Sequence, residues 1–150
     1  MSVNVAELFE VLFDKNNTVA YEALQVLQKE SEETNNVYDI MDQFGSMLDI
    51  DNYYIRTRGL ILIAYNAKLD TDYKIDEIID KYLQHITDRK PITARQCIKM
   101  LPMIAKNKPD LRNDIISALH KADLSCYSDH MRPLVSKDIQ NALAEIQSFS

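Results

Sequence analysis

PITARQCIKMLPMIAK, residues 91–106, carries its apolar side chains along one side of a helix. Ala94, Cys97, Ile98, Leu101, Ile104 and Ala105 recur at steps of three and four residues, which gathers them on one stripe. Arg95, Lys99 and Lys106 are spaced by 4 and 7 and fall on the opposite side. Pro91 suits a first helical turn, where its missing N–H costs nothing. Pro102 lies inside the stripe, removes one backbone hydrogen bond and predicts a bend. The stretch reads as an amphipathic helix with an apolar and a basic face.

The same period runs outward in both directions. Upstream, helices are predicted over about 3–13, 18–30, 36–49, 53–67 and 72–86. Val5, Leu8, Phe9 and Leu12 form the first stripe, and Ala20, Leu24 and Leu27 the second. Ile75, Ile78, Ile79, Tyr82 and Leu83 form the fifth. Asn17 is the expected N-cap of the second helix, and Asp70, Thr71 and Asp72 cap the fifth. The polar SEETNN stretch, residues 31–36, reads as a loop. Downstream, Pro109 opens a helix over about 109–122, and Ser128 caps one over about 129–147. No stretch alternates with period two for long enough to make a strand. The fold class is all-α.

Eight helices with short connections suggest stacked pairs, so the repeat test follows. Tyr21, Arg56, Arg95 and Arg132 align near the start of each second helix, with spacings of 35, 39 and 37. Four residues earlier stand Asn17, Asn52, Pro91 and Ser128. One residue earlier stand Ala20, Ile55, Ala94 and Met131, all apolar. Three residues later stand Leu24, Gly59, Ile98 and Val135. A period near 37 with two helices per unit defines a helical solenoid.

The Ile55-Arg56, Ala94-Arg95 and Met131-Arg132 pairs resemble the apolar-Arg signature that opens the second helix of HEAT repeats. The resemblance covers nearly the whole chain and implies a right-handed α-solenoid of about four HEAT-like helix pairs, one repeat domain over 1–150. The first unit departs, with Tyr21 in place of arginine, and the proline of the family's first helix is missing in most units. RTRGLILIAYNAKLD, KPITARQCIKMLPMIAKNKPDL and MRPLVSKDIQNAL are similar to small bacterial HEAT-like proteins, some of which carry a SufBD label. Two unpaired cysteines without a Cys/His cluster make a poor iron–sulfur scaffold. In such stacks the second helices line the concave face.

Composition sets the outer limits. Of 150 residues, 46% are apolar and 27% charged, which is globular. The only glycines, Gly45 and Gly59, are 14 residues apart, which excludes a G-x-G-x-x-G turn and a P-loop. Net charge is −6, so a wholly basic nucleic-acid binder is excluded. Cys97 and Cys126 form no C-x-x-C and are expected to be reduced. MSVNVAELFE has no basic, then apolar, leader pattern. The longest strongly apolar run, Leu60 to Tyr65, falls short of the roughly 20 residues a membrane span needs. The expectation is a soluble, cytoplasmic protein with no membrane role.

Charge is sorted along the chain. Residues 1–51 hold 11 acids and 2 bases, whereas residues 89–108 hold six bases and no acid. With second helices facing inward, this predicts a basic groove lined by Arg56, Arg95, Lys99, Lys106 and Arg132. Such a row suits phosphates or a carboxylate-rich peptide. The competing reading pairs the arginines with acids near the helix starts, for which Asp51, Asp88 and Asp129 are candidates.

Other chemistry is sparse. His85, His120 and His130 form no H-E-x-x-H, and Cys126 with His130 supplies two metal ligands where a site needs at least three. Tyr53-Tyr54 could stack on a base or a peptide, or pack as a solenoid ridge. Asp76, Glu77 and Asp80 read as a solvated face. No nucleophile–base set stands out. The expectation is a non-enzymatic scaffold without cofactor or metal, binding a protein or acidic peptide through its groove. The alternative is a nucleic-acid binder related in fold to HEAT-like alkylation-repair proteins, although no motif of theirs is present and the chain has no tryptophan. Terminal units lack one neighbour, so they must be capped or dimerise; the sequence leaves the oligomeric state open.

Overall fold

The computed structural model describes residues 3–149, which are helical with no strand among them. The helices are α1 (Val5–Val11), α2 (Asn17–Glu33), α3 (Met41–Met47), α4 (Tyr53–Tyr65), α5 (Lys74–Gln84), α6 (Pro91–Asn107), α7 (Arg112–Lys121) and α8 (Arg132–Gln147). Short 3₁₀ turns at Tyr38–Ile40 and Pro109–Leu111 lead into α3 and α7, and those at Ala67–Leu69 and His85–Thr87 follow α4 and α5.

Local chemistry explains several boundaries. Asn4, Asn16 and Asn52 accept the first free amides of α1, α2 and α4. The cap of α2 is thus Asn16, not the expected Asn17, whose side chain turns instead to Arg58. Asp70 caps α5 by accepting from Lys74 and Ile75, each at 2.9 Å. That arrangement holds Tyr73 in the left-handed region at φ 59°. The SEETNN stretch is not a loop from its start: α2 continues to Glu33. Ser31 is buried there, donating to the Leu27 carbonyl at 2.8 Å and accepting from Asn66 Nδ2 at 3.1 Å. The third predicted helix is a 3₁₀ turn followed by a seven-residue α3.

The even-numbered helices pack side by side in the order α2, α4, α6, α8; α1, α3 and α7 pack against them, and α5 packs beside α3 with its Tyr82 hydroxyl donating to the Leu60 carbonyl of α4 at 2.8 Å. Asn17, Tyr53 and Ile92, from the first turns of α2, α4 and α6, meet around one groove. Glu32, Tyr65, Lys106 and Glu145, from the opposite ends, meet around another. The even helices therefore run parallel, as stacked helix pairs require.

The core is one connected cluster running from Leu12 and Phe44 through Leu60, Ile63, Tyr82 and Leu101 to Ile115 and Val135. Each such side chain contributes roughly 1.5–3 kcal/mol on burial. Helix α4 is buried nearly all round, from Ile55 to Ala64 with only Thr57 partly open. Gly59 makes this possible. A Cβ there would meet Met47 Cβ at 2.9 Å and the Phe44 carbonyl oxygen at 3.1 Å, so α3 and α4 touch through backbone. Helix α6 runs unbroken through buried Pro102.

Candidate binding groove

The arginines that open the second helices are occupied by acids to different degrees. Arg56, on α4, is 3% exposed. Its Nε and NH2 donate to Asp88 at 3.0 and 2.8 Å, and NH1 donates to the carbonyls of Ile50 and Asp51. Asp88 also pairs with His85 Nδ1 at 2.6 Å and caps the Lys90 amide. Burial opposes ionisation of Asp88, but the bonds from His85 and Arg56 outweigh it and hold the carboxyl well below the usual carboxylate range. Arg95, on α6, donates from Nε to Asp138 of α8 at 2.6 Å and keeps about a third of its side chain open. Arg132 bonds the Tyr127 carbonyl and Asp129, and is the most exposed of the three.

Asp51 bonds Arg56 through its carbonyl, while its carboxylate takes Arg89 at 2.6 Å. Asp138, the partner of Arg95, was not among the acids expected, because it lies 43 residues away in the next unit's second helix. The three arginines thus pair with three separate acids.

Lys99 and Lys106 do come together. Both are exposed, and with Lys68 they line a cavity of about 400 Å³ at the C-terminal ends of the even helices. Glu32 and Glu145 stand on the same walls, so the site is basic but not uniformly so. A buried lysine of the same region, Lys108, is fully engaged by Asp70 at 3.1 Å and Asp76 at 2.7 Å. It locks the turn before α5 to the end of α6.

The other end of the even helices holds a groove of about 430 Å³ with a different character. Tyr21, Leu24, Tyr53, Tyr54, Ile61 and Ile92 form its walls. Tyr21, Tyr54 and Ile92 are 55%, 41% and 62% exposed, which is unusual for large apolar side chains converging on one spot. Tyr53 and Tyr54 stack at 4.3 Å between centroids. Lys90 Nζ lies 5.5 Å from the Tyr53 ring and the Arg58 guanidinium 5.7 Å from the Tyr54 ring. The sequence reading singled out Tyr53-Tyr54 but not Tyr21, Ile92 or Arg58 as groove residues. The signal lay in the repeat itself. Tyr21 replaces the arginine of the other units, and Arg58 stands two positions after Arg56, where they carry Ala23, Cys97 and Leu134.

Among the described residues, no three His, Cys, Asp or Glu side chains gather to hold a metal ion. No helix there is long and apolar enough to cross a membrane. Cys97 is buried, which pushes its thiol up, and Cys126 is exposed. A family model described as HEAT repeat domain matches residues 2–143. No curated protein and no solved structure matches the chain.

Proposed function

The chain belongs to the HEAT repeat domain family, and on that premise we propose that residues 1–150 act as one cytoplasmic, non-enzymatic adaptor that holds a protein or peptide along its even-numbered helices. The observation behind this reading is the convergence of exposed Tyr21, Tyr54 and Ile92 on one groove in a chain of net charge −6. Contiguous apolar surface of this kind is what protein partners cover. Lys99 and Lys106, with partly open Arg95 and exposed Arg132, supply polar contacts along the rest of the face. Arg56 braces the frame from behind through Asp88.

The cluster of Lys68, Lys99 and Lys106 favours a second reading, nucleic acid. Glu32 and Glu145 beside it, and the net charge, weigh against a polyanion. Two measurements separate the readings. A photoreactive residue replacing Ile92 is expected to form a discrete protein adduct in cells, while one replacing Glu77, exposed on α5, gives none. Equal adducts at both positions, or none at Ile92, would overturn the adaptor reading. Anisotropy titration with duplex DNA, single-stranded DNA and RNA is expected to show no saturable binding; binding that weakens steeply with salt would move the assignment to nucleic acid.

A further inference from the structure

The groove at the N-terminal ends of α2, α4 and α6 contains a charge that the fold leaves unneutralised. Arg58 is 6% exposed, yet it reaches the groove wall. Its NH1 donates to the Leu12 carbonyl at 2.7 Å and its NH2 to Asn17 Oδ1 at 3.2 Å, both neutral acceptors. Among the described residues no carboxylate pairs with it, in contrast to Arg56, Arg95 and Arg132. Among the described residues the other N–H groups of the guanidinium have no acceptor. Burial without a counter-ion pushes its pKa down. A desolvated, half-bonded arginine is costly to hold, and a carboxylate brought to it recovers much of that cost. Among the described residues no Asp or Glu lines this groove.

We propose that the groove takes a peptide segment of a partner protein in which one carboxylate stands beside a large apolar side chain, the carboxylate meeting Arg58 and the apolar side chain seating between Tyr54 and Ile92. The inference rests on the adaptor reading above and adds the partner's chemistry to it. The charge balance narrows that chemistry. Residues 1–51 carry a net −9, so a run of acids is repelled at long range. A single carboxylate in an apolar segment is repelled far less, and contact with Arg58 rewards it. The groove also offers Asn17, Thr18 and Gln96 to a peptide backbone. A fatty acid would leave those polar groups unmatched.

The test starts from random twelve-residue peptides selected by display against the full chain. The expected winners carry an Asp, a Glu or the free C-terminus next to Phe, Tyr, Trp or Leu. Titrated by anisotropy, such a peptide should bind roughly tenfold to a hundredfold more weakly when its acid is changed to the amide. The same change should cost little against Arg58→Met. Because Arg58→Met also removes the tie to Leu12, Ile92→Glu serves as a second variant; Ile92 is 62% exposed, the fold is kept, and binding should be lost. Winners that Ile92→Glu abolishes but that need no acid would overturn the Arg58 proposal and leave the adaptor reading standing. No winners, or winners indifferent to Ile92→Glu, would overturn both. A dimer of the free chain that Ile92→Glu dissolves would overturn the proposal in favour of a second copy.

Discussion

Asp88 binds Arg56 through both oxygens, pairs with His85 and caps the backbone ahead of α6, while its own carbonyl accepts from Tyr127 at 2.6 Å. One residue therefore ties the second, third and fourth units together. Replacing Asp88 with Asn should cost about 3–5 kcal/mol in urea denaturation, because Arg56 is left charged and buried. Asp88 and Asp70 are both held below the ordinary carboxylate range, against the opposing effect of burial. The unfolded chain, with carboxyls near 3.9, therefore takes up protons that the folded chain refuses. Stability should be complete above about pH 5 and should fall as pH drops through the unfolded value toward the folded one. Urea midpoints measured against pH should decline less steeply in Asp88→Asn; an identical slope would contradict the role given to this carboxylate. Sequence spacing already offered Asp88 as a partner for one of the three arginines. It could not assign the pairs, because Arg56 reaches across 32 residues and Arg95 across 43. Arg58 was unreadable as a candidate binding group for a related reason: only the packed structure shows that, among the described residues, no carboxylate pairs with it.

At the scale of elements, the two glycines behave oppositely. Gly59 lets α4 lie directly on α3, and a methyl group there would press on Met47 and on the Phe44 carbonyl. Alanine gains up to about 1 kcal/mol in helix propensity. Overpacking costs about 1–3 kcal/mol. Gly59→Ala should therefore lower the melting temperature. Gly45 sits in α3 with only Ile78 in ordinary contact at 3.6 Å, so Gly45→Ala should hold or raise it. A thermal melt of the pair checks both signs. The aligned repeats set Gly59 beside Leu24, Ile98 and Val135, which marks it as a core position without revealing the close approach. The helices themselves were legible because their stripes obey one period. The end of α2 was not, since polar Ser31 is held inside the stack by the Leu27 carbonyl and Asn66 Nδ2, and a buried serine in a polar run mimics a loop in the sequence.

Across the whole molecule, stability is expected to be graded. Helices α4 and α6 have even-helix neighbours on both sides, whereas α1 is a seven-residue terminal helix with no fully buried residue within its span. Native-state hydrogen exchange should find the slowest amides in α4 and α6 and the fastest in α1. Uniform protection would contradict that gradient. The paired architecture was legible from the 37-residue period, since each unit must hide one face against the next. The candidate binding face was only half legible. The basic end follows from charge runs, while the aromatic end draws one or two residues from each of three helices and leaves no run to notice. The ion pairs have a last consequence, for how such a chain can change in copy number. Arg56 in the second unit depends on Asp88 just ahead of the third unit's second helix, and Arg95 in the third on Asp138 in the fourth. Deletion of the third unit would part Arg56 from Asp88 and strand it inside the seam, and duplication of that unit would leave one copy of Arg95 facing no Asp138. The length of this solenoid is thus held by the mates its charges require, and its units are not interchangeable beads.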